Sequence, residues 1–196
     1  MIWYEDEVRQ LEAKLKAIPP TPNRVVFYGS SSIRLWSTLD QDFPQTNPLN
    51  LGFGGSTLAA CAWFFERLLM PTSPKAIVFY AGDNDLGDGR HPEEVYLFFR
   101  AFAGKMSQYL PDIPVAYLSI KISPARWNIK DNIRFTNKLI ADEVSKLPEF
   151  RTIDMTTPLL GADGRPRREC FESDGLHLSP LGYQAWQRVL RESQFF

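Results

Sequence analysis

The chain of 196 residues holds only two imidazoles, His91 and His177. An imidazole beside a carboxylate and near a hydroxyl can run acyl transfer. A base must take the proton of a weak nucleophile, and a third group must orient that base. In "SDGLHLSPLGY" (173–183) Asp174 precedes His177 by three residues, with Gly175 between them to allow a tight turn. A carboxylate at that spacing can fold back to Nδ1–H, fix the tautomer and leave Nε2 free as base. The same residues also read as an ordinary turn capped by Asp174. His91 stands directly before Pro92 at a predicted helix start, where a capping or solvated role is expected.

The hydroxyls come in "FYGSSSIRLW" (27–36), where three serines follow a glycine at the end of an apolar run. Such a run reads equally as a polar turn or as the seat of a nucleophile. An oxyanion needs donors. The Ser31 N–H, at a strand-to-helix turn, lacks a helical partner. The Gly55 N–H, in "NLGFGGST" (50–57), and the Asn84 amide, in "AGDNDL" (81–86), are further candidates. Helix packing for Gly54-Gly55 and a plain turn for Asn84 are the competing readings. "GFGGST" lacks the lysine of a phosphate-binding loop and the full dinucleotide fingerprint.

These segments need elements to hold them. "RVVFY" (24–28), a short run ending near 49–51, "KAIVFYAG" (75–82), "VAYLSI" (115–120) and "RTIDM" (151–155) read as strands. Between them lie helical patterns. One runs to Ile18, with Tyr4, Val8, Leu11 and Leu15 at helical spacing, and "PPTP" (19–22) stops it. Others are 56–69, with Ser56 or Thr57 as N-cap, and the stretch from His91 to Leu110, with Val95, Phe99, Phe102 and Met106 inward. A fourth covers 132–147, with Ile133, Ile140, Val144 and Leu147 inward, and the last starts near Ser179–Pro180 and ends about Ser193. Strands that are nearly continuous apolar runs, alternating with helices, indicate an α/β protein with a parallel sheet covered on both faces. Ligands in such folds bind outside the carboxyl ends of the strands. The polar, glycine-rich segments above stand at those ends or before the last helix.

Bulk properties exclude other classes. Apolar content of 44% and charge of 23% are ordinary for one globular domain, and a net charge of −1 gives no case for nucleic acid or an anionic membrane. No apolar run is long enough to span a bilayer. "MIWYEDEVRQLEAKLK" is not built like a signal peptide, so a cytoplasmic protein is expected. Cys61 and Cys170 form neither a metal pattern nor a disulfide framework, so both are expected reduced, and Cys61 buried.

Taken together, the blocks resemble those of the SGNH hydrolases, also called the GDSL esterase/lipase family, which carry Ser, Gly, Asn and His in that chain order. Gly29-Ser30-Ser31 matches the Gly-Asp-Ser block and makes Ser31 the implied nucleophile. Asn50 to Gly55 matches the second block and implies Gly55 as an oxyanion glycine. Gly82-Asp83-Asn84-Asp85 gives Asn84, and Asp174-Gly175-Leu176-His177 gives the other triad members. The family's aspartate is Ser30 here, which is expected to make a weaker local hydrogen bond. Ser32 is then most simply a cap for a segment beginning at Ile33. The length fits one domain over 1–196, with the N-terminal helix at about 3–18. The resemblance implies a three-layer α/β/α fold with a central, mainly parallel, five-stranded, flavodoxin-like sheet. It also implies ester hydrolysis without metal or cofactor, with a small-molecule ester as partner.

For the substrate there are weaker signals. "KISPARW" (121–127) follows the fourth strand, and position alone makes Arg126 and Trp127 candidates for the substrate mouth. "GRPRRE" (164–169) reads as a solvated basic face. Phe64, Phe65, Phe98, Phe99 and Phe102 read as core rather than as an acyl tunnel. With no long lid segment, a small ester such as an acetylated sugar is favoured over a long-chain lipid. Lysophospholipase, thioesterase and acyltransferase chemistry would use the same site, and a non-catalytic binding module is a further alternative. Oligomeric state, homo-oligomers included, stays open.

Overall fold

Along β1 (Val25–Gly29) successive side chains leave the sheet on opposite sides, and every residue is buried. Val26 and Tyr28 join one hydrophobic cluster, Val25 and Phe27 the other. The period of two, with both faces covered, explains why the strand sequences are apolar throughout. The computed structural model describes residues 1–18, 21 and 23–196. Besides β1 it contains β2 (Leu49–Gly52), β3 (Ala76–Tyr80), β4 (Val115–Leu118) and β5 (Phe150–Ile153). The sheet order is β2-β1-β3-β4-β5 and all four pairings are parallel.

Nine helices among the described residues surround this sheet. On one face pack α1 (Glu5–Ala17), α4 (Leu58–Trp63), α5 (Phe65–Leu68), α7 (Pro92–Tyr109) and α8 (Lys130–Val144). On the other pack α2 (Ser31–Arg34), α3 (Leu39–Asp42) and α9 (Pro180–Glu192). The short α6 (Asp83–Gly87) follows β3 and sends Leu86 into the first cluster. The result is the expected three-layer α/β/α fold. From β1 the chain crosses to β2 on one side and later to β3 on the other, so the crevice between the ends of β1 and β3 is the topological switch point.

Helix faces follow the sequence pattern, while boundaries and short elements depart from it. Val95, Phe99, Phe102 and Met106 are buried on α7, and Ile133, Ile140 and Val144 on α8. Glu94 accepts the His91 N–H at the start of α7 at 2.9 Å, a reciprocal end bond typical of capped helices. Of the "PPTP" stop, Pro19, Pro20 and Pro22 lie outside the described residues; α1 ends at Ala17. The single helix expected over 56–69 is broken at Phe64 (φ −89°, ψ 9°). The break lets adjacent rings diverge: Phe64 meets Tyr4 and Phe53, while Phe65 meets Phe102. Thr57, rather than Ser56, caps α4 by accepting the Ala60 N–H at 3.0 Å. Cys61 and Cys170 are buried free thiols. No helix among the described residues is long and apolar enough to cross a membrane.

Candidate active site

β1 ends on Gly29, at φ 137°, where a Cβ would stand 1.9 Å from the Tyr80 carbonyl oxygen of β3. Only glycine lets the two strand ends come this close. The next residue, Ser30, donates its N–H to that same oxygen at 2.9 Å. Its carbonyl accepts the N–H groups of Ile33 and Arg34 at 2.9 and 3.1 Å, so α2 starts at Ser31. Ser30 therefore occupies the cap position, and its hydroxyl makes no capping bond. Where the family has aspartate, backbone bonds at both sides of Ser30 hold this turn. The cap role expected of Ser32 is not found: Ser32 lies inside α2, is buried, and offers its carbonyl to the Tyr183 hydroxyl at 3.0 Å.

The histidine loop is a small closed hairpin. Glu172 donates its N–H to the His177 carbonyl at 2.8 Å, and Gly175 at φ 67° turns the chain. Asp174 Oδ1 accepts the N–H groups of Leu176 and His177 at 2.8 and 3.0 Å. Its Oδ2 lies 2.6 Å from His177 Nδ1. On the far side of the ring, Nε2 lies 3.0 Å from Ser31 Oγ. With the proton on Nδ1 facing the carboxylate, Nε2 is the acceptor for the hydroxyl. Partial burial pushes the Asp174 carboxyl up, but the Leu176 N–H, the His177 ring and the His177 N–H outweigh it and hold it at about 2. Asp174 is thus an anion at any neutral pH. This arrangement can take a proton from Ser31 and stabilise the imidazolium that results.

Gly55, at φ 65°, faces open space where a side chain would stand. The Ser31 and Gly55 N–H groups donate to no acceptor among the described residues. Asn84, in the first turn of α6, gives one amide hydrogen to the Ser56 carbonyl at 3.0 Å, which leaves the other. Three donors therefore stand at the ends of β1, β2 and β3. The neighbouring Asp85 binds this region together by accepting the Leu58 N–H at 2.8 Å. Burial pushes its carboxyl up to about 6, against the pull of the Leu58, Asp85 and Ala59 N–H groups.

Sequence reasoning missed several supports. The Tyr4 hydroxyl donates to the Gly55 carbonyl at 3.0 Å, and Glu7 of α1 accepts the Gly54 N–H while pairing with Arg34 at 2.7 Å. The N-terminal segment thereby holds the Gly54–Gly55 loop. Asn50 ties β2 to α2, donating to the Ile33 carbonyl at 2.7 Å. "GRPRRE" is more than a solvated face. Arg168 donates to the carbonyls of Glu172 and Ser173 at 2.5 and 2.9 Å, directly before Asp174. Arg126 turns inward to Asp83 and Asn84. Trp127 is half-buried against the core, with Lys130 Nζ 5.2 Å and Arg165 Cζ 5.6 Å from its ring centroid. Beside His177 a cavity of about 370 Å³ opens between α2, α3 and α9, walled by Leu35, Thr38, Glu172, Leu178 and Tyr183.

No curated protein matches the chain by sequence. By structure it is similar to a Streptococcus pneumonia protein described as a platelet activating factor, with TM-score 0.85 and 19% identity over 97% of this chain and 94% of that one. It is similar to a GDSL-like lipase of Bacteroides thetaiotaomicron, with TM-score 0.79 and 20% identity over 95% and 96%. A Bacteroides fragilis protein described as an acylhydrolase gives TM-score 0.78 and 20% identity over 94% of each chain. At these identities the likeness speaks for the fold. The sequence profile of the GDSL-like lipase/acylhydrolase family matches residues 26–185, which include all four blocks. By that match the chain belongs to the GDSL-like lipase/acylhydrolase family, a family of hydrolases.

Proposed function

We propose that the protein is a serine esterase acting on small carboxylic esters through an acyl-enzyme on Ser31. The observation that carries this reading is the run of contacts from Asp174 through His177 to Ser31, at 2.6 and 3.0 Å. Ser31 Oγ attacks the ester carbonyl as its proton passes to His177 Nε2. The N–H groups of Ser31 and Gly55 and the free amide hydrogen of Asn84 receive the oxyanion. His177 returns the proton to the departing alcohol as the C–O bond breaks. Water then attacks the acyl-enzyme by the same route, releasing the acid and restoring Ser31.

A small substrate such as an acetyl ester of a sugar is favoured over a long-chain lipid, because the sequence holds no long lid segment to cover an acyl chain. Acyltransferase or thioesterase chemistry would replace the water or the leaving atom and keep every residue's role. The test is turnover of p-nitrophenyl acetate by wild type, Ser31→Ala and His177→Ala. Wild-type turnover lost in both variants supports the esterase. Equal rates in all three overturn it in favour of a binding module.

A further inference from the structure

Behind Asn84 lies a set of buried charges that the proposed reaction does not use. The side chains of Lys121, Asp83 and Arg126 are 1%, 6% and 16% exposed. Lys121 Nζ stands 2.7 Å from Asp83 Oδ2 and 3.2 Å from the Tyr80 hydroxyl. Arg126 Nε lies 3.3 Å from Asp83 Oδ1, and Nη1 donates to the Asp83 carbonyl. The remaining arm, Nη2, donates to Asn84 Oδ1 at 3.3 Å. Burying paired charges generally stabilises a fold no better than apolar side chains of the same volume. Stability alone is therefore a poor reason for two cations and one carboxylate at this place.

Asn84 supplies a better one. Its amide is nearly symmetric in shape, so rotation by half a turn exchanges Oδ1 and Nδ2 at little steric cost. Hydrogen bonds alone decide which end faces where. A guanidinium has five donors and no acceptor. Facing Arg126, Asn84 must present its oxygen, and the opposite end is then Nδ2, bonded to the Ser56 carbonyl. The rotated amide would set N–H against guanidinium and oxygen against carbonyl, losing both bonds. A cation on the amide oxygen also polarises the group and strengthens its N–H as a donor.

We infer that Arg126 is a positioning residue that locks the Asn84 amide with its free hydrogen toward the oxyanion, and that Asp83 and Lys121 hold Arg126 in place. The inference rests on reading Asn84 as an oxyanion donor. It also reassigns Arg126 from the substrate mouth to the wall behind the site. Gly87 fits the same scheme, because a Cβ there would stand 1.4 Å from Arg126 Nη1.

The test is a double-mutant cycle on p-nitrophenyl acetate with Asn84→Ala, Arg126→Met and both together. Asn84→Ala should lower kcat about 10²–10³-fold, the usual loss for one oxyanion donor. Arg126→Met should lower kcat about ten- to a hundredfold with KM within about threefold, as for a misplaced catalytic group. The double variant should be no slower than Asn84→Ala alone, because Arg126 acts only through Asn84. If Arg126→Met does not fold, Gly87→Ala displaces the guanidinium with its charge kept and completes the same cycle. Losses that multiply in the double variant, or an unchanged kcat in Arg126→Met, overturn the inference and leave the esterase standing. Asn84→Ala at the wild-type rate overturns the oxyanion reading itself.

Discussion

His177 Nε2 stands 3.0 Å from Ser31 Oγ although 146 residues separate the two in the chain. The contact exists because two local structures meet: the turn at the end of β1 and the hairpin before α9. Backbone bonds hold each of them, Ser30 N–H to the Tyr80 carbonyl of β3 in one and Glu172 N–H to the His177 carbonyl in the other. Neither side chain needs the other to reach its position. Removing one side chain should therefore leave the other in place.

Asp174 gives a prediction with a definite sign. Its carboxyl sits at about 2 in the folded protein against 3.8 ordinarily. A depressed carboxylate contributes stability fully above its unfolded value, and the contribution is lost as pH falls from 3.8 through about 2. Asp174→Asn should remove that part of the acid-induced loss, seen as a shallower fall in melting temperature below pH 4. In activity, kcat should drop by about 10²–10⁴-fold, because the amide no longer enforces the tautomer. The wild-type kcat/KM should rise with pH through a single ionisation, since Asp174 stays charged throughout.

Asp85 titrates in the opposite sense. Its carboxyl is raised from 3.8 to about 6, and Oδ1 is buried without a hydrogen-bond partner among the described residues. Here the folded state holds the proton more tightly, so stability falls as pH rises from 3.8 through about 6. The cost of the buried charge is on the order of 3 kcal/mol at neutral pH. Asp85→Asn keeps an oxygen for the Leu58 N–H and removes the charge. The melting temperature of this variant should gain on wild type between pH 4 and pH 8. A difference that stays flat over that range would contradict the assignment.

Arg168 should matter to rate through the loop it holds. Arg168→Ala frees the carbonyls of Glu172 and Ser173 next to Asp174. The expected outcome is a loss of roughly three- to thirtyfold in kcat on p-nitrophenyl acetate, the scale of small misplacements at a reacting centre. The change in melting temperature should be small, because the side chain is exposed.

The parts legible in the sequence are those whose signal is local. "RVVFY" and "KAIVFYAG" read as strands because both sheet faces are buried, which leaves no polar alternation to interrupt them. Ser31, Gly55 and Asn84 could be read as one constellation because each lies within four residues of a strand's end, and Asp174 and His177 because one short turn joins them. What escaped depends on contacts between distant segments. Tyr4 reaches Gly55 across 51 residues and Glu7 reaches Gly54 across 47, with nothing in α1 beyond its acidic start to announce it. Arg126 looked like a mouth residue because its loop ends at the right edge. That its side chain turns back depends on Asp83 and on the absence of a side chain at Gly87. The kink at Phe64 likewise answers to Tyr4, Phe53 and Phe102, which all lie outside the segment 56–69 that reads as one helix.

The central claim is that Ser31 is the nucleophile. A p-nitrophenyl alkylphosphonate tests it directly: Ser31 Oγ bonds to phosphorus, p-nitrophenolate leaves, and no water step follows to erase the product. Peptide mass analysis after reaction should find one phosphonyl group per chain, on Ser31, and none on the Ser31→Ala protein. A label on another residue, or Ser31→Ala labelled as fast as wild type, would contradict the account.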